Sequence, residues 1–357
     1  MSSSSTLFRS LAYPLADLID DLKTGEYKYI HLSDPENLLD NRPLLLAAHR
    51  NSKVKNIVIE LAKMGYYVYH MVDGVARFVL ESHIPQMWHS VREGQYLSSP
   101  DGVVYSFQEP KSGGPIRNMV VVFSSIGGDI FGNGLSRYFT QNFRSIQKHV
   151  PADTAILRIA DIGGVVGSFY LDTHYAPRNT KRVGNLIESM RIANSLDKDS
   201  VITYGASKGA TGALFHAINS DYRCVCVEPI VNDHYYETRF GDTHFTAADI
   251  FVEKKEHTFA RAIETYKRRA PSTSAKDHES RIIVVYSTQS PQAPYLREII
   301  GNHLTKDMSL IDFRHPQISD HPDVSPQSLN LVTMYLNMMC YGIPSEGGHF
   351  EFSCEAP

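Results

Sequence analysis

The run Val201-Ile-Thr-Tyr-Gly-Ala-Ser-Lys-Gly-Ala-Thr-Gly-Ala-Leu214 constrains this chain more than any other stretch. Its first four residues are apolar or β-branched and read as a buried strand. A Gly-x-Ser-x-Gly turn follows, and small helix-compatible residues begin at once. In that strand–turn–helix setting a serine is held at the tip of a sharp, strained bend. Gly205 and Gly209 remove the Cβ atoms that would clash across such a bend. Ala206, Ala210, Gly212 and Ala213 keep the facing surfaces thin, so that helix and strand pack closely. A helix starting here also aims backbone N–H groups at any oxyanion that forms beside Ser207. A Gly/Ser turn that only closes a strand–helix unit has the same letters; the flanking strand and helix favour Ser207 as a nucleophile.

The rest of the chain gives this turn a setting. From Asn118 onward, apolar strands are expected at Met119–Phe123, Ala155–Ala160, Val201–Tyr204, Tyr222–Val227, Ile282–Tyr286 and Met308–Phe313. Helices are expected between them at Val183–Leu196 and Tyr295–His303, and at Pro326–Met339, where Ser325 is the N-cap and Pro326 the first helical residue. Strands separated by helical crossovers imply a mostly parallel sheet flanked by helices on both faces.

Residues 1–110 read as a small N-terminal α+β module. Leu44–Ala48 is a buried-strand candidate, Val54–Met64 has helical spacing, and Tyr66–Val72 and Val75–Leu80 turn at Asp73-Gly74. Gln95–Leu97 and Val103–Phe107 form a second hairpin candidate. Residues 111–357 then hold the α/β core, with an excursion at 231–279, rich in aromatics and histidines at its start, that would lie over the carboxyl edge of the sheet as a lid.

Composition narrows the partners. At 357 residues, 42% apolar and 21% charged, the chain has the make-up of a globular protein with room for one large domain and a module. A net charge of −4 argues against nucleic acid, and Lys267-Arg-Arg269 reads as a solvated helix face. Cys224, Cys226, Cys340 and Cys354 lack metal-site spacing, so no metal is expected. No run approaches the roughly 20 apolar residues of a transmembrane segment. Ser2 to Ser5 lack a signal-peptide core, and the expected location is the cytoplasm, or the periphery of the inner membrane.

A serine hydroxyl needs a base, and the base an acid to orient it. His321, in the loop after the last core strand and just before the final helix, is the first candidate base. His315 is the competitor and His349 the outsider. The loop Ser287-Thr-Gln-Ser-Pro-Gln292, where the acid usually lies, has no carboxylate. The loop after the preceding strand, Glu228-Pro-Ile-Val-Asn-Asp233-His234, does, and Asp233 is the first choice within it. Asp242 is second, and Asp320 or Asp323 third. The oxyanion donors are expected from the N–H of Lys208 and from Ser125 or Ile126 in the Ser124-Ser-Ile-Gly-Gly128 loop. Asp161-Ile-Gly-Gly-Val-Val-Gly167-Ser-Phe-Tyr170 is not a dinucleotide fingerprint, because it lacks the G-x-G-x-x-G spacing and a helix directly after it.

Three of these stretches together, Gly205–Ala213, Glu228–Asp233 and Asp320–Ser325, resemble bacterial capsular polysaccharide biosynthesis proteins of the XcbB/CpsF type, with an α/β-hydrolase-like core. The turn alone is generic to α/β-hydrolases. The resemblance covers about the last two thirds of the chain. It implies a cytoplasmic role in making or modifying a surface glycan, with a sugar or polysaccharide acceptor and other capsule proteins as partners. Three functions follow as expectations. The first is O-acetylation through an acyl-Ser207 intermediate, with acetyl-coenzyme A as donor and no permanently bound cofactor. The second is an esterase of the same mechanism. The third is a non-catalytic scaffolding subunit of a capsule assembly complex.

Overall fold

A computed structural model describes residues 5–128, 131–247, 249–269, 279–303 and 305–354. Part of the expected excursion, residues 248 and 270–278, lies outside them. Two sheets form among the described residues. The smaller holds β1 (Thr6–Ser10), β2 (Tyr29–Ser33), β3 (Tyr66–Val72) and β4 (Val75–Leu80) in the order β1-β2-β4-β3.

The larger sheet begins with β5 (Leu97–Ser98) and β6 (Val104–Gln108), continues through β7 (Asn118–Phe123), β8 (Thr154–Ile159), β9 (Val201–Ala206) and β10 (Arg223–Val227), and ends with β11 (Ile282–Tyr286), β12 (Met308–Arg314) and β13 (Gly348–Ser353). Its order is β13-β12-β11-β10-β9-β7-β8-β6-β5. From β8 to β13 every neighbouring pair is parallel, and β6 and β5 add antiparallel strands at one edge. This is an α/β-hydrolase-like fold.

The parallel strands β7 to β12 are buried on both faces, which is why they read as apolar runs, whereas β13 at the edge is largely exposed. On β7, Met119, Val121 and Phe123 join the core under the helices Asn179–Ala193, Lys208–Ser220 and Lys255–Lys267. Val120 and Val122 join the opposite core with Val332, Leu336 and Met339 of the helix Leu329–Cys340. β7 lies between β8 and β9, so the chain leaves it in one direction and returns on its other side. That switch opens a crevice between the carboxyl ends of β7 and β9.

Several elements differ from the sequence expectation. Leu44–Ala48 is a short helix packed on Ser52–Lys63, not a strand; an apolar run of this length suits either state, and Pro43 starts the turn. The expected 1–110 module is divided, because β5 and β6 pair into the large sheet. The final helix begins earlier than Ser325: Asp320 and Asp323 form a capping box that starts a helix at His321–Gln327, with Pro326 inside it, before Leu329–Cys340. β13, a parallel strand beside β12, has no counterpart among the strands expected from the sequence. Among the described residues no helix is long and apolar enough to cross a membrane.

One buried group ties this core to pH. His216, on the helix after β9, is 2% exposed and stacks on Phe123 at 5.6 Å. Burial lowers its pKa from the usual 6.5 to about 4. The neutral ring is therefore favoured in the folded state, so stability is fully present above pH 6.5 and is lost as pH falls toward 4. The loss from this group is on the order of 3 kcal/mol. Urea midpoints at pH 7 and pH 4.5 are expected to fall further apart in the wild type than in His216→Phe; equal differences would exclude the effect.

Candidate active site

β9 and β10 are in parallel register with Ala206 opposite Val227, so the next residues, Ser207 and Glu228, emerge side by side. Ser207 N–H donates to Val227 O at 2.9 Å. Both residues occupy left-handed backbone, at φ 54° and 49°, the strained geometry of a tight functional bend. Close packing demands the glycines beside Ser207. A Cβ on Gly205 would lie 2.3 Å from Gly209 backbone, and one on Gly209 would lie 2.3 Å from Phe123 O.

His321 reaches this edge from the first turn of its capped helix. Its Nε2 lies 2.8 Å from Ser207 Oγ and its Nδ1 lies 3.1 Å from Glu228 Oε2. Glu228 is 2% exposed, and its carboxylate is satisfied on all sides. Oε1 accepts Ser287 N–H at 2.9 Å, and Oε2 also accepts the Ser290 hydroxyl at 2.7 Å. The loop after β11, which lacks a carboxylate, thus supplies the donors that hold one. A serine, an imidazole and a carboxylate in this chain can move a proton off the serine and stabilise the imidazolium that results.

Asp233 is not the residue at the imidazole. Its Oδ1 accepts from Lys255 Nζ at 2.8 Å and its Oδ2 from Lys255 N–H at 3.1 Å, both deep in the protein. After Glu228 the chain turns away through Pro229, and Asp233 fastens the start of the excursion to the helix Lys255–Lys267 later within it. The remaining acidic candidates and the two competing histidines are engaged away from Ser207. Asp242 closes a turn by accepting Thr246 and Ala247 N–H. Asp320 caps His321 N–H, and Asp323 takes the Ser319 and Asp320 N–H groups. His315 stacks on Phe313 and accepts Gln317 N–H, whereas His349 pairs with the Tyr286 hydroxyl. The signal for Glu228 is its position: it is the first residue after β10, one step beyond the register pair of Ala206.

Ser207 and His321 open into a cavity of about 540 Å³. One wall is the Ser125–Gly128 loop. Ser125 N–H is engaged by Asn142 Oδ1 at 3.2 Å, while among the described residues nothing accepts the N–H of Ile126. Lys208 N–H is the first of its helix and has no intrahelical acceptor. The opposite wall comes from the excursion. Tyr235, Tyr236 and Phe240 form an edge-packed aromatic cluster there, with Tyr236 OH accepting from Gln292 at 2.8 Å. None of the described residues lining the cavity is Lys or Arg, and among the described residues no cluster of His, Cys, Asp or Glu is placed to hold a metal.

The Asp233–Lys255 contact carries a test of its own. Neutralising one member of a fully buried ion pair leaves the other uncompensated, at about 3–5 kcal/mol. Asp233→Asn is expected to lower the unfolding free energy from urea titration by that amount, and the double variant with Lys255→Met to recover most of it. A wild-type midpoint in Asp233→Asn would contradict the pairing.

No protein-family model matches the chain, and no curated protein does. Solved structures with a similar arrangement include the capsule O-acetyltransferase of Neisseria meningitidis serogroup A, at 11% identity and TM-score 0.45 over 69% of this chain and 94% of that one. An S-formylglutathione hydrolase from Agrobacterium tumefaciens matches at 13% and 0.40, over 71% and 94%. A fluorophosphonate-binding serine hydrolase of Staphylococcus aureus matches at 13% and 0.43, over 68% and 96%.

Proposed function

We propose that the chain is a serine-dependent acyltransferase, with Ser207 as nucleophile, His321 as general base and acid, and Glu228 as the orienting carboxylate. The observation that carries this reading is the continuous Ser207–His321–Glu228 hydrogen-bond line at 2.8 and 3.1 Å. Ser207 Oγ attacks the acyl carbonyl as its proton passes to His321 Nε2. Lys208 N–H and Ile126 N–H receive the oxyanion. Collapse expels the leaving group, which takes the proton from His321 and leaves an acyl-serine. An acceptor hydroxyl then attacks, gives its proton to His321, and departs as the ester while Ser207 is restored.

The acetyl donor and glycan acceptor of this proposal, in capsular polysaccharide biosynthesis, rest on the sequence resemblance. Transfer rather than hydrolysis requires that the wall of Tyr235, Tyr236 and Phe240 keep water from the acyl-serine once an acceptor fills the cavity. Among the described residues the cavity lining offers no Lys or Arg to the phosphates of acetyl-coenzyme A. An adjoining cleft of about 520 Å³ shares Tyr235, Phe240 and Asp320 with it and does carry one, the exposed Arg239.

Incubation with acetyl-coenzyme A and capsule polymer fragments, with mass spectrometry of both, tests the proposal. Acetyl on Ser207 and on polymer is expected. Free acetate with unmodified polymer would mean an esterase, and no acyl-enzyme would mean a non-catalytic chain. Ser207→Ala should abolish turnover, and Glu228→Gln should lower it by about 10³–10⁴. Arg239→Gln should raise KM for acetyl-coenzyme A and leave that for p-nitrophenyl acetate unchanged; a parallel rise in both would remove the phosphates from that cleft.

A further inference from the structure

The segment Asp161–Tyr170 takes no part in the Ser207–His321–Glu228 line, yet it is built around the residue that follows the nucleophile. The Lys208 side chain is fully buried. Its ammonium lies 3.0 Å from Asp161 Oδ2 and donates to Val166 O at 3.1 Å. Gly167, at φ +131°, leaves this approach open: a Cβ there would sit 2.3 Å from Asp161 Oδ2 and 2.5 Å from Lys208 Nζ.

The same carboxylate organises the turn beyond it. Asp161 Oδ1 accepts the Ser168 hydroxyl at 2.5 Å and the N–H groups of Ser168 and Tyr170, both at 3.1 Å. Oδ2 accepts Phe169 N–H at 2.9 Å. These bonds hold Phe169 and Tyr170 in left-handed backbone, at φ 56° and 61°. Tyr170 carries the arrangement to the far side of the site. Its hydroxyl accepts Ser124 N–H at 2.5 Å and donates to Ile159 O at 2.9 Å, and its ring packs edge-on to Phe123 at 4.7 Å. One buried carboxylate therefore braces the start of the helix after Ser207 and the start of the Ser125–Gly128 loop.

An apolar side chain could fill the volume of Lys208 without the cost of burying a charge. A charged pair whose ammonium also donates to Val166 O adds direction instead. Direction matters here because backbone donors stabilise an oxyanion only when they are aimed before the charge develops. We propose that Asp161, acting through Lys208 and Tyr170, is a positioning residue that aims the N–H groups of Lys208 and Ile126 at a common point beside Ser207. This inference rests on the serine acyl-transfer reading above.

The test uses the full chain and a fluorophosphonate. Ser207 Oγ attacks phosphorus, fluoride leaves, and the hydroxyl proton passes to His321, while charge builds on the phosphoryl oxygen that faces the two donors. Tyr170→Phe removes the acceptor of Ser124 N–H and keeps the ring; Asp161→Asn removes the charge at the hub. Each is expected to slow labelling of Ser207 by about tenfold to a hundredfold. The kcat for p-nitrophenyl acetate should fall in proportion while KM stays within about twofold. A variant that loses thermal stability but labels at the wild-type rate below its melting temperature overturns the inference, as does a change confined to KM. Should Asp161→Asn not fold, Tyr170→Phe decides alone. A wild type that is not labelled at Ser207 refutes the acyl-transfer reading itself.

Discussion

The register of β9 against β10 is the constraint on which the carboxyl edge depends. Neighbouring strands lie about 4.8 Å apart, so residues one step beyond a register pair leave the sheet at the same height. Ala206 pairs with Val227, and Ser207 and Glu228 follow. Both then bend into left-handed backbone, which turns their side chains out of the pleat toward the crevice. A slip of one residue would send one of them to the wrong face. With that pair placed, a single imidazole from the helix after β12 spans them.

Among the buried carboxylates near this edge, Glu228, Asp233 and Asp161 have different tasks. Glu228 is held by two serine donors and faces a histidine. Asp233 and Asp161 each face a fully buried lysine. The difference is one of partner, since a carboxylate matched to a buried ammonium is neutralised in place and has no lone pair directed at the cavity. Glu228, with neutral donors, keeps its charge available to the imidazole. The two lysine pairs act instead on architecture: one ties the excursion to its helix, the other ties the two loops beside Ser207 to each other.

The excursion supplies the remaining wall. Tyr235 packs edge to face on Tyr236 and Phe240, so the three present an apolar surface to the cavity while Tyr236 keeps its hydroxyl bonded to Gln292. The Asp233–Lys255 pair joins the start of the excursion to its later helix, and Lys255 Nζ also lies 4.3 Å from the ring of Phe169, outside the excursion.

By itself the sequence determined what local pattern can carry. The Gly205–Gly209 turn, the apolar strands and their helical crossovers were legible because period, glycine spacing and β-branching act over a few residues. So was the position of His321 after the last core strand. Tertiary structure decided what depends on pairing between distant residues. Asp233 and Glu228 share one loop and one charge, and only the buried Lys255 and the register with Ser207 separate their roles. Leu44–Ala48, whose Leu and Ala residues favour a helix, packs as one on Ser52–Lys63, and it is that packing which a five-residue apolar run does not reveal. β13 formed because β12 offered an open edge, and Asp161–Tyr170, mute as a motif, acquired meaning from a lysine nearly forty residues later in the chain. Burial and partner choice are properties of the folded whole, and no local window contains them.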